Sequence, residues 1–230
     1  MRRLLRDSAI LFAIIALIAL TMLALWHLLF PYTQVHYRLS VDVDDNGIPH
    51  HGEGVMGVDF QYQGPLLIGQ MPAWSVGYEG DAIAIDLGSR GTLFVLLKGD
   101  KLRSKTSPNA GSSTLLTYFD FAAEGLPKTL SANSTIEMFA RSKRTLDLPA
   151  KDLPMLVRFR DIHDPTTVER VDPDHLEASF GPGVSIARVR AEITQDPVTT
   201  GIAKRLEWLT NTERVSAELT SLDFTWHGRR

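Results

Sequence analysis

The sequence predicts one N-terminal transmembrane helix followed by a mainly antiparallel β (α+β) extracytoplasmic domain with two short helices. Three observations carry that reading. Ala9 to Phe30 is a 22-residue run without a charged side chain, placed behind Arg2, Arg3 and Arg6. Several later segments alternate apolar and polar residues with the period of a strand. Two local signatures, at Ser134 and at Asp172, have the chemistry of helix starts.

The apolar run is interrupted only by Thr21 and His27. At about 1.5 Å per residue it spans roughly the 30 Å hydrocarbon core of a bilayer, whereas a secretory leader has a shorter apolar region and ends in small residues. This run ends in Trp26-His27-Leu28-Leu29-Phe30-Pro31-Tyr32, bulky throughout, so an uncleaved anchor is expected. Three arginines against Asp7 precede it, and Arg38 against Asp42, Asp44 and Asp45 follows it. That asymmetry places residues 1–8 in the cytoplasm and residues 31–230 outside it. Trp26, Tyr32 and Tyr37 are expected in the aromatic belt of the outer interface.

Residues 31–230 are enough for one domain with its own core. Without Arg2, Arg3, Arg6 and Asp7, the 24 basic and 27 acidic residues of the chain become 21 and 26, a net charge of −5. The basic residues are scattered, which argues against nucleic-acid binding, since phosphate neutralisation needs clustered Lys and Arg. There is no cysteine, so disulfides, thiolate metal sites and thiol nucleophiles are excluded.

Val35 to Val43 alternates, Asp44-Asp45-Asn46-Gly47 supplies turn chemistry, and Val55 to Gln63 resumes the alternation, which together predict a hairpin. Ala82–Leu87 and Thr92–Leu97, joined by Gly88-Ser89-Arg90-Gly91, predict a second. Residues 100–113 read as an exposed loop and Thr114 to Phe121 as a strand. Ser134-Thr135-Ile136-Glu137 fits a capping box, predicting a short helix to about Lys143. Leu146–Pro149 and Met155–Phe159 are strand-like. In Val171 to Gly181, Asp172 is the expected N-cap, Pro173 the first helical residue and Gly181 the stop, with Leu176 and Phe180 on one face of a two-turn helix. Val184 to Thr194 alternates again, with Val189, Ala191 and Ile193 opposed to Arg188, Arg190 and Glu192, and a last strand is expected from Val215 to Trp226.

Leu153 to Asp161, Asp164-Pro165-Thr166-Thr167-Val168, Val171-Asp172-Pro173, Phe180 to Val184, and Thr199-Thr200-Gly201-Ile202 on to Trp208-Leu209 resemble a group of uncharacterised bacterial single-pass inner-membrane proteins. The likeness is strongest over residues 152–210. It implies a bacterial inner membrane with the domain in the periplasm, and it assigns no activity and no site residues.

Motifs with chemical meaning have plainer explanations in this context. Gly52-Glu53-Gly54-Val55-Met56-Gly57 has the glycine spacing of a dinucleotide loop, but that loop must open a helix and here a strand follows. A turn or bulge is the expected use of these glycines. Gly183-Val184-Ser185-Ile186-Ala187 falls one residue short of a nucleophile elbow and enters a strand. Asn133-Ser134-Thr135 is a glycosylation sequon by pattern, for which helix capping suffices. His50, His51 and Glu53, and the group Asp161, His163, Asp164, Asp172, Asp174 and His175, have metal-ligand chemistry. Neither matches a calcium loop or a His-Glu-x-x-His helix, and turn starting accounts for Asp164 and Asp172. His27, near the outer end of the span, can reach interfacial water.

No catalytic, cofactor-binding or metal-ligating residue is therefore assigned. The expected partners are the lipid bilayer, through residues 9–30, and another envelope protein. The function expected is that of a membrane-anchored periplasmic interaction or assembly module. A periplasmic small-ligand or metal-binding module is the first alternative and an envelope hydrolase the second.

Overall fold

The computed structural model describes residues 2–29, 32–63, 73–97 and 132–227. Helix α1 runs Arg2–Leu29, and strand β1 starts at Tyr32. Every side chain described on α1, residues 12–26, is exposed, including Phe12, Leu17, Met22 and Trp26. Among the described residues no helix is long and apolar enough to cross a membrane. The predicted loop at residues 100–113 and the predicted strand from Thr114 to Phe121 lie outside the described residues.

The predicted α+β character, mainly antiparallel β with few helices, is present. Strands β1 (Tyr32–Asp45), β2 (Ile48–Gln63), β3 (Ala73–Asp81), β6 (Thr145–Leu148), β9 (Val184–Thr194) and β10 (Thr225–Trp226) form one sheet in the order β10-β3-β2-β1-β9-β6. The second sheet has the order β4-β5-β7-β8, from β4 (Ile83–Asp86), β5 (Thr92–Val95), β7 (Leu156–Phe159) and β8 (Val168–Val171). Each recorded strand pair is antiparallel. The chain passes from one sheet to the other at Ala82, whose amide donates to the Phe224 carbonyl at 2.7 Å.

The main core lies between the sheets. Val35, Tyr37, Leu39, Val41 and Val43 of β1 meet Ile83, Ile85, Leu93, Val95 and Leu156. A second core covers the other face of the small sheet, where Phe94, Leu96, Val157 and Phe159 pack against Ile202, Leu206, Leu209 and Phe224. Phe159 stands edge-on to Phe94 and Trp208, with ring centroids 5.5 Å and 5.4 Å away. Burial on both faces explains why Leu93-Phe94-Val95-Leu96-Leu97 is a continuous apolar run: all five are buried. The six-stranded sheet instead keeps one polar outer face.

The β1–β2 hairpin closes through Asn46 and Gly47, both with positive φ (52° and 87°), and Asp45 pairs with Ile48. β2 begins earlier than the alternation indicated, because Gly52 and Gly54 belong to a regular strand rather than a turn or bulge. A Cβ on Gly52 would collide with Ile85, and one on Gly54 would lie 2.9 Å from Ile83 Cγ1. The glycines are notches that admit the isoleucines of β4. A bulge is present elsewhere, between β1 and β9, where the register shifts between Asp42 and Val43.

Other expectations are corrected. Helix α2 spans Ala132–Ala140, so Ser134 lies inside it and the predicted capping box does not open it. Asp172 accepts from the Asp174 amide at 3.0 Å and opens a turn; helix α3 is the single turn Glu177–Phe180, entered from Leu176. Gly181 does end α3 with φ 93°, and Leu176 and Phe180 are both buried. The predicted strand from Val215 to Trp226 is reduced to Thr225–Trp226. Ahead of it Thr220 and Asp223 close a reciprocal capping box around the 3₁₀ turn Ser221–Asp223, which spends those backbone groups locally. Tyr37 is in the core, wholly buried with its hydroxyl on Met56 Sδ at 3.1 Å, and so is absent from the interfacial belt. Strands β3 and β8 lie where the sequence pattern carries no strand expectation.

Candidate functional site

The outer face of the large sheet carries a three-by-three array of side chains fixed by register. His51, Glu53 and Val55 come from β2, Asp42, Ser40 and Arg38 from β1, and Arg188, Arg190 and Glu192 from β9. Alternation along each strand puts these positions on one face. Ser40 is the centre. Its short side chain leaves a groove of about 330 Å³, lined by the array's charged residues and by Asp196.

Ion pairs fix the rim. Arg38 binds Glu53 at 2.7 Å and also Asp196. Arg188 and Arg190 both bind Asp147 of β6, at 3.0 Å and 3.1 Å. His51 Nδ1 lies 2.7 Å from Asp42 Oδ1, and its Nε2 lies 3.6 Å from Glu53 Oε2. The hydrogen bond with Asp42, reinforced by Glu53, raises the His51 pKa from its ordinary value. The Asp196 carboxyl is held below the usual range, first by the Thr194 hydroxyl and then by Arg38. Glu192 and the Ser40 hydroxyl have no hydrogen-bond or ion-pair partner among the described residues.

One end of the groove is walled by the segment after β9. It is fastened by the Asp196 carbonyl to His36 Nδ1 at 2.7 Å, and by Thr199 to both backbone groups of Val55 at 2.9 Å. It then reaches Asp81, a buried carboxylate at the end of β3. Asp81 accepts from the amides of Gly201 and Ile202 (2.5 and 2.9 Å), from Thr225 Oγ1 (2.6 Å), and lies 2.9 Å from His227 Nε2. Two amides, a hydroxyl and an imidazole converge on one carboxylate, which joins three distant parts of the chain.

No family model, curated protein or solved structure matches this chain.

The structure disperses the sequence-level motifs. His50 and His51 sit on opposite faces of β2, His50 in register with inward Val43 and His51 with outward Asp42, so the adjacent imidazoles do not converge. In the acidic segment, Asp161 accepts from the His163 amide at 2.9 Å and Asp164 from Thr166 at 2.9 Å. His175 meets Glu177 at 3.3 Å. Among the described residues no group of three or more His, Cys, Asp or Glu could hold a metal ion. Ser185 lies within β9 opposite Asp44, without the strand-to-helix turn of a nucleophile elbow. The glycines at 52, 54 and 57 are strand residues and open no helix.

In the sequence Arg188, Arg190 and Glu192 stand out as one face of a strand, and Arg38 and Asp42 only as charges that follow the apolar run. That the two strands are neighbours is carried by the β1–β9 pairing alone. The available signal was charge alternation on two separate strands, and only the register brings them together.

Proposed function

We propose that the chain is a bitopic protein of the bacterial inner membrane, anchored by residues 9–30 with residues 1–8 in the cytoplasm and residues 31–230 in the periplasm. Its domain acts there as an interaction or assembly module of the envelope. The observation that carries this is the exposure of every described side chain of α1: an apolar surface on all sides of a helix is stable only where lipid or protein covers it. The arginines before the run set the orientation. The outer face of the large sheet and its short edge strand β6, exposed at Thr145, Leu146 and Asp147, are the surfaces offered to a protein partner.

The test has two parts. A periplasm-dependent reporter fused after residue 230 is expected to be active and a cytoplasm-dependent one silent; the reverse overturns the topology. A photocrosslinker at position 146 is expected to trap one discrete envelope protein, while the same group at position 206, wholly buried in the second core, traps none.

A second reading, a periplasmic small-ligand module, is supported by the groove over Ser40, whose volume is at the lower end of small-molecule sites.

A further inference from the structure

Resting on that second reading, we infer that the groove binds a short zwitterionic peptide, about two residues long with both termini free. The warrant is the uneven distribution of charge around Ser40. At one end Arg38 is surrounded by three carboxylates: it binds Glu53 and Asp196, and it faces Glu192 directly across the strands. One guanidinium against three negative charges leaves that end electronegative. At the other end Arg188 and Arg190 share the carboxylate of Asp147 and Arg188 faces Asp42, so two positive charges meet two negative ones and this end is less negative than the first. His51, hydrogen-bonded to Asp42 at this end, adds positive charge there when protonated and so sharpens the same polarity.

The spacing selects the length. Arg38 and its facing Glu192 lie two residues along the strands from Ser40 and Arg190, about 7 Å at 3.3 Å per residue. A free amino acid separates its charges by less than this, and an extended dipeptide spans about 7 Å. The ammonium end is placed at Glu192, which has no ion-pair partner among the described residues. The carboxylate end is placed at Arg190, a donor with fork geometry suited to it, and the Ser40 hydroxyl, in register with Arg190, lies beside that carboxylate. The groove's volume of about 330 Å³ accommodates a ligand of this size.

The full chain in detergent micelles should be titrated calorimetrically with alanyl-alanine, its N-acetylated form, its C-amidated form and free alanine. Saturable binding of the free dipeptide is expected, with each capped form and alanine weaker by about tenfold or more, the loss that one charge-assisted contact carries. Arg190→Gln should erase the discrimination against the amide and Glu192→Gln the discrimination against the acetylated form. Both positions are on the sheet surface, and an unchanged melting temperature shows that each variant is folded. Equal binding of capped and free forms, or discrimination that survives both substitutions, overturns the peptide assignment and leaves the groove as a ligand site. Absence of saturable binding by all four probes overturns the assignment together with the second reading.

Discussion

Gly52 of β2 lies against Ile85 of β4 so closely that a Cβ on the glycine would collide with the isoleucine's Cγ1. This contact seats the small sheet on the large one. Gly52→Ala is therefore expected to lower stability by about 1–3 kcal/mol, the usual cost of forcing an extra carbon into a packed core. Gly77→Ala is the control, because a Cβ there makes only an ordinary 3.5 Å contact with Asp59. It is expected to be neutral or slightly stabilising. Denaturant unfolding of the two variants checks this, and equal destabilisation would contradict the notch.

Asp81 is the second point where a single residue holds separate segments together. Replacing it with Asn keeps one oxygen for the Gly201 and Ile202 amides but removes its charge and turns an NH2 toward the Thr225 hydroxyl and the His227 ring, which must reverse to accept. Asp81→Asn is expected to cost about 2–3 kcal/mol, since buried charge-assisted hydrogen bonds are weakened together. His227→Ala removes only one half-exposed partner and is expected to cost about 1 kcal/mol or less. Equilibrium denaturation distinguishes the two, and comparable losses would mean that the imidazole, not the amides, dominates.

The elements legible in the sequence were those whose signal is local. Asp44-Asp45-Asn46-Gly47 specified its own turn, and the alternation from Val184 to Thr194 matched β9 at both ends because one face of that strand is buried and the other is not. Signals that depend on a distant partner misled. The Gly52-x-Gly54-x-x-Gly57 spacing carries a meaning set by Ile83 and Ile85, some thirty residues on. Asp172-Pro173 has the composition of a helix start, but its carboxylate is equally served by the turn it makes with the Asp174 amide. The charged array was hidden for the same reason. Arg38 and Glu192 are neighbours only through the β1–β9 pairing, which no local pattern encodes.

Gly183 supplies a third prediction. Its φ of 83° is unfavourable for a residue with a side chain, and a Cβ there would collide with the Asn46 carboxamide. The hairpin tip is held at this place by the Asn46 amide donating to the Gly183 carbonyl at 3.0 Å. Gly183→Ala is expected to cost about 2 kcal/mol, combining left-handed strain with the collision. Asn46→Gly removes the collision together with the Asn46 side-chain hydrogen bonds, whose loss the Asn46→Gly single variant measures, so the double variant should recover about 1 kcal/mol relative to the sum of the singles. Additive losses in thermal melts would show that strain is the whole effect.

The final prediction concerns pH and His51. Its folded pKa is raised by Asp42 first and Glu53 second, so the charged imidazole is favoured in the native state. The sign follows: the stabilisation is complete below the unfolded value of about 6.5 and is lost as pH rises through the higher folded value. The His51 side chain is 54% exposed, which limits the contribution to about 0.5 kcal/mol after solvent screening. His51→Gln is thus expected to lower the melting temperature at about pH 5.5 and to leave it nearly unchanged at about pH 9. A deficit of the same size at both pH values would show that His51 acts through neutral packing. A deficit confined to high pH would reverse the assigned direction and remove the Asp42–His51 pair from the charge pattern of the groove.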